Sequence, residues 1–211
     1  CIDPGYPPNG NIPGTSQLQN YPPTDTKKVN NNVTNPCISN TINSIENAIK
    51  NLSITALNNE NIYMPMNFNF VDVNTLLPNV GGQCSEMYTD SDGVLNFNIL
   101  LNDTLLPEIA IEYTTKIILH EVVHGILLSK GIPKDALLHH NEIANYYRSI
   151  ISSTLQSLYP GLSDFNAEAL AWGGLFESDA YSGLPSWKKN AINEILTSYT
   201  NRMNGTYCNS N

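Results

Sequence analysis

Charge is scarce in this chain, and basic charge scarcer still: 14% of its 211 residues are charged, ten Lys and Arg against nineteen Asp and Glu, for a formal net charge of -9. The phosphate-neutralising surface that non-specific nucleic-acid binding requires is missing in sum, and the only adjacent basic pairs are Lys27-Lys28 and Lys188-Lys189. No nucleic-acid partner is expected. No apolar run approaches the ~20 residues of a spanning helix, so no transmembrane segment is expected either. The four cysteines, Cys1, Cys37, Cys84 and Cys208, stand far apart without a C-x-x-C pair. That spacing argues against a thiolate zinc site or a thioredoxin-type motif and leaves disulfides open.

Asparagine fills the gap left by charge. Thirty asparagines, with Ser and Thr, carry the polarity of the chain, a composition common among exported and surface proteins. The length suffices for one domain with a real core. Residues 1–36 hold seven of the thirteen prolines among Gly, Asn, Ser and Thr, with hardly a large aliphatic side chain. This predicts an extended linker or tether over 1–36 and a folded domain over 37–211. The alternative for the first segment is an arm docked through Tyr6, Ile12 and Tyr21. Cys1 is a candidate lipid-bearing residue of an exported, envelope-associated protein, with disulfide pairing as its other use.

In the folded part, Ile38, Ile42, Ile45, Ile49 and Leu52 recur at intervals of four and three, one apolar stripe of a helix. Met66–Phe70 and Leu95–Ile99 alternate with period two and predict half-buried strands. Asp92-Gly93 is a hairpin-type turn signal, and Gly81-Gly82 reads as a loop between the strands. From Pro107 to Lys130 the pattern is helical, closed by Gly131 and Pro133 as stop signals. Further helices are predicted over about 141–158, 164–172 and 186–203, with Ser163 and Ser186 as N-caps. The order helix, strands, helices reads as α+β, a small, mostly antiparallel sheet packed on helices with one long helix carrying the chemistry.

That long helix contains His120-Glu121-Val122-Val123-His124. Histidines at i and i+4 share a face one turn apart, so their rings can converge on one metal ion, with Glu121 beside them as a proton acceptor. Two neutral imidazoles leave the charge of a Zn2+ ion largely uncompensated, which suits it to acidify water. A catalytic zinc needs a third protein ligand. His139 and His140, fifteen and sixteen residues beyond His124, are candidates. His140 is preferred because it opens the segment predicted as the next helix. Glu168, among small and apolar residues, is the rival, and if not a ligand it should meet an imidazole N–H or a cation. Tyr146 or Tyr147 offers a hydroxyl for an oxyanion, or simply packs the core.

His120-Glu121-x-x-His124 is the zincin metallopeptidase signature, and with a histidine about fifteen residues further on it resembles SprT-like metallopeptidases. The stretch 95–181 is similar to uncharacterised zincin-like domains of bacterial surface proteins. The segments that carry the likeness are Asn98–Asn102, Glu112-Tyr113, Ile117–Glu121, His140-x-x-Ile143-Ala144 and Glu168–Leu175. The resemblance implies a zincin-like fold, zinc held by His120 and His124 with His140 or Glu168 completing the set, and Glu121 as general base. It also implies a peptide or protein substrate paired with a strand along the cleft, here Leu95–Leu101. The chain departs from thermolysin-like enzymes, whose helix motif for a third-ligand glutamate is not seen, and from metzincins, since Lys130 stands where their third histidine belongs. It departs from DNA-associated SprT-like proteins in being acidic and lacking a basic tail. The reading is an exported zinc metallopeptidase and a candidate member of an envelope protein complex, with a zinc-stabilised, non-catalytic binding or structural module as the alternative.

Overall fold

The computed structural model describes residues 27–58 and 65–208, so most of the expected linker, with Cys1, lies outside the described residues. The described residues nevertheless begin inside the 1–36 segment. Lys27–Asn31 forms a strand (β1) and Pro36–Asn58 a helix (α1), followed by the strands Met66–Val73 (β2), Gly82–Thr89 (β3) and Leu95–Asn102 (β4). β1, inside the segment read as a linker, thus belongs to the same sheet as β2. Residues 27–35 are held by strand pairing, by Val33 in the core, and by polar contacts that carry no hydrophobic signal: the Asn31 amide donates to Ser39 and Asn43 of α1, and the Thr34 and Asn35 backbone N–H groups donate to Asp72. A hydrophobic pattern cannot reveal such an attachment.

The strand order is β1-β2-β4-β3. β1 pairs parallel with β2, and β2 parallel with β4, whereas β3 is antiparallel to β4. The sheet is mixed rather than mostly antiparallel, for two reasons. α1 returns the chain to start β2 beside β1, the long crossover that parallel pairing requires. The turn at Asp92-Gly93, with Gly93 at φ 80°, joins β4 to β3 and not to β2.

The alternation seen in the sequence sorts the sheet's two faces. Met66, Phe68, Phe70, Phe97, Ile99 and Leu101 are buried on one side, against the fully or nearly buried stripe of α1 and against the next long helix. The opposite side carries asparagine ladders. Asn30 donates to Asn69 and Asn69 to Asn98, while Asn67 donates to Asn96 and Asn96 to Asp90. Parallel register places like residues level, so each side-chain amide meets the next strand's amide, and five of the thirty asparagines find their use here.

The helix expected over 107–130 is divided. A 3-10 turn at Leu106–Glu108 precedes the long helix α2, Ile111–Ser129. The break arises because the Ala110 and Ile111 N–H groups donate to Tyr199 and Thr206 of the C-terminal chain instead of to a preceding helical turn. The helix closes as expected at Gly131, whose φ of 75° is the left-handed conformation that favours glycine. Gly125 sits where a Cβ would come 3.1 Å from the Phe68 ring and 3.2 Å from that of Phe97. The missing side chain lets α2 lie tightly on the sheet.

Ala136–Glu142 (α3), a π-helical turn at Ile143–Tyr147 and Arg148–Leu158 (α4) follow without a break. The helix starts earlier than 141 because Asp135 caps it, accepting from the Leu138 N–H at 2.7 Å. Asp164–Trp172 (α5) is capped by Ser163 as expected, Asp179–Ser182 (α6) is one turn, and Ser186–Thr200 (α7) takes Pro185 at its cap position, so Ser186 is not the cap. Beyond α7, Thr206 binds the buried Glu112 carboxylate through its N–H and hydroxyl, and Cys208 forms a disulfide with Cys37. Among the described residues no helix is long and apolar enough to cross a membrane.

Candidate metal centre

Helix α2 is buried around nearly its whole circumference, held between the sheet with α1 on one side and α4, α5 and α7 on the other. His120 and His124 project from it toward His140 on α3. The donor nitrogens of these three histidines all lie within 4.8 Å of one another, and the Nε2 atoms of His120 and His124 are 3.0 Å apart. Tetrahedral zinc with imidazole bonds near 2 Å sets ligand nitrogens about 3.3 Å apart, so the spacing suits such an ion. Burial drives the proton off both helix histidines: His120 is held well below the ordinary imidazole range and His124 falls to about 3, with Lys116 and the neighbouring imidazoles pushing the same way. Neutral rings are what a metal requires.

The outer partners decide which nitrogen of each ring carries the proton. The Ile132 carbonyl only accepts, so His139 Nε2, 3.4 Å away, must be the protonated atom, leaving His139 Nδ1 as an acceptor. His124 Nδ1, 2.9 Å from His139 Nδ1, then carries the proton, and His124 Nε2 is left with its lone pair. On the other ligand helix, His140 Nδ1 lies 2.7 Å from the Glu177 carboxylate, which likewise holds the proton on Nδ1. Two of the three rings thus have their Nε2 lone pairs turned inward by acceptors behind them, the arrangement by which proteins orient imidazole ligands. His120 Nδ1 is buried without a hydrogen-bond partner among the described residues. The donor set fits a divalent metal ion; it does not by itself name which one.

Glu121 is buried beside this cluster, and its Oε2 accepts from the backbone N–H of Cys84 at 2.8 Å. Burial raises its carboxyl to about 7, against the opposing pull of the Cys84 N–H, Lys116 and Lys134. Cys84 itself is a buried thiol pushed up to about 12 by burial and by Glu121, hence protonated and unreactive. The contact with Glu121 identifies the strand that borders the site. It is β3, the outermost strand next to β4, and not Leu95–Leu101, which lies inside the sheet. Gly82 makes the approach feasible, since a Cβ there would come 3.0 Å from Glu121 Cγ and 3.1 Å from Ile117.

A cleft of about 760 Å³ runs over these groups, lined by Gly82, Gln83 and Cys84 of β3, by Tyr113, Lys116, Ile117, His120, Glu121, His124 and Leu128 of α2, and by His139, His140, Gly174 and Phe176. Glu168 is elsewhere: its carboxylate takes Arg148 at 3.2 Å and Lys188 at 3.0 Å, so the predicted partner for that buried-side carboxylate is a cation. Neither tyrosine lines the cleft. Tyr146 is exposed, and Tyr147 is buried with its hydroxyl bonded to Lys130. No known family, curated protein or solved structure matches the chain.

Sequence reasoning overlooked Glu177, Lys116 and β3, and treated His139 only as a competing ligand. Lys116 carried a usable signal, standing one turn before His120 on the same helical face. Two expected results follow from the geometry. His140→Ala should abolish stoichiometric zinc binding while Glu168→Gln retains it, read by elemental analysis of purified protein; metal loss with Glu168→Gln alone would reverse the assignment. His139→Phe, which fills the space but offers no acceptor, should weaken zinc binding about 10–100-fold in chelator competition. Unchanged affinity would remove His139 from the support of His124.

Proposed function

We propose that this domain is a zinc-dependent metallopeptidase of zincin-like organisation, acting outside the cytoplasm. The observation that supports it best is the convergence of His120, His124 and His140, with acceptors behind two of the rings, beside a buried Glu121 in an accessible cleft. His120, His124 and His140 would hold the zinc ion, which would supply a Lewis acid able to polarise a carbonyl and lower the pKa of water. Glu121 takes the proton from the attacking water and delivers it to the leaving nitrogen. Its hydrogen bond from Cys84 keeps the carboxylate from turning away. The outer edge of β3 aligns an extended peptide through backbone hydrogen bonds, alternate side chains falling on either side.

A non-catalytic zinc module is the competing reading. Structural zinc is usually enclosed by four protein ligands, whereas three are gathered among the described residues, which favours an open, catalytic position. The Cys37–Cys208 disulfide favours an oxidising, extracytoplasmic setting. The test is direct. Purified protein should contain about one zinc per chain and cleave an unstructured protein, and chelation should stop cleavage until zinc is restored. Protein that holds zinc but never cleaves would leave the binding-module reading; protein that holds no transition metal would end both.

A further inference from the structure

Lys116 influences Glu121 and the helix histidines through its charge but takes no step in the chemistry above, and its burial makes it one of the least expected residues in the molecule. Its side chain is buried within the cleft wall one turn ahead of His120. An ammonium group has three donors. Here one is directed at the Gly173 carbonyl and the Tyr113 ring centroid lies 5.9 Å from Nζ; Glu121 acts on the charge from beyond direct contact, and among the described residues no carboxylate forms an ion pair with it. Holding a charge out of water is costly unless it is compensated. A tie between α2 and the end of α5 needs no charge, because a neutral amide would serve it.

The surroundings are built to leave room at the charge. A Cβ on Gly173 would come 3.2 Å from Lys116 Nζ, and one on Gly174 would come 3.4 Å from Nζ and 3.5 Å from His120 Cε1. Gly173 is packed inside, where a Cβ would also meet the Leu170 carbonyl and Leu196, whereas Gly174 is exposed in the cleft wall and brings its backbone beside both the ammonium and the His120 ring. Gly174 is at φ 78°, which holds its backbone against the cleft in a conformation side chains disfavour. Leu105, Ile109 and Tyr113 line the neighbouring wall, and an apolar wall strengthens any ionic contact made there.

We propose that Lys116 anchors an anion subsite next to the metal centre, one that receives a carboxylate of the substrate, either an acidic side chain or a free C terminus. The proposal rests on the metallopeptidase reading for its setting and adds the class of substrate. Gly174, in the cleft wall beside the ammonium, gives the carboxylate its access, and the wall of Leu105, Ile109 and Tyr113 accepts the carbon chain that carries it.

Two probes of equal length test it, glutaric acid monohydroxamate and pentanohydroxamate, which share a zinc-chelating end and differ in a terminal carboxylate. Zinc-loaded protein should bind the first at least about 10-fold more tightly, the scale of a charge-assisted contact, and the ratio should fall to near one in Lys116→Met with zinc content unchanged. Equal affinities in the unaltered protein, or a ratio that survives Lys116→Met, would overturn the subsite. Should that variant not fold, nitrogen-15 NMR of the Lys116 ammonium in the unaltered protein reports the same contact: the resonance should shift saturably with the carboxylate probe and not with its partner. Acetate titrated into metal-free protein separates this proposal from the wider one. If the chain holds no zinc, the peptidase reading fails, while a saturable acetate shift at Lys116 still upholds the subsite and its absence overturns it. Peptides with Glu exchanged for Gln, and peptides with free or amidated C termini, identify the source of the carboxylate; kcat/KM insensitive to both exchanges would also overturn the proposal.

Discussion

Glu121→Gln is expected to lower peptide hydrolysis about 10²–10⁴-fold while leaving zinc in place. The substitution removes a proton acceptor and little else. Glutamine has the shape of glutamate and retains a side-chain oxygen to accept from the Cys84 N–H, so the packing of α2 against β3 is preserved. The rings of His124 and His140 are unaffected, because their outer partners are His139 and Glu177 and not Glu121. Single-turnover cleavage of an unstructured protein, with zinc content measured on the same sample, checks the expectation. Cleavage at the original rate would exclude Glu121 as the general base.

The largest effect on stability is expected from loss of the Cys37–Cys208 disulfide. The two cysteines are 171 residues apart in sequence, and a closure of that length restrains the unfolded chain strongly, by about 3–5 kcal/mol. The corresponding fall in Tm is about 6–20 °C for a domain of this size. The bond also has a local consequence. It anchors the C-terminal segment that caps α2, where Thr206 binds Glu112 and the Ile111 N–H donates to the Thr206 carbonyl. Cys37→Ser with Cys208→Ser, compared with the oxidised protein by urea unfolding, should show the loss. A midpoint unchanged within about 0.5 kcal/mol would mean that the non-covalent contacts of the tail suffice.

Elements with strong hydrophobic periodicity were legible from residues alone. The α1 stripe, the two alternating strands, the body of α2 and the span of α5 all appear where their patterns place them. Two kinds of feature were not legible. β1 and β3 carry few apolar residues, because an outer strand is covered on fewer sides and its pairing is made by backbone groups that any residue supplies. The extended break before α2 depends on Tyr199 and Thr206, residues roughly ninety positions away, and no local window contains that information. The parallel pairing of β2 with β4 escaped notice for a similar reason: it is set by where β3 is folded out to the edge.

The pairing of His120 with His124, and Glu121 alongside, follows from sequence alone, because a helical turn fixes the direction of side chains four residues apart. His139 and His140 could not be told apart in that way. Neighbours on a helix point about 100° apart, so the choice between direct ligand and support for His124 depends on where Asp135 starts α3 and on how α3 packs beside α2. The same holds for Glu177, Lys116 and the edge of β3. Each reaches the site through long-range packing, which is a property of the assembled fold and not of any segment within it.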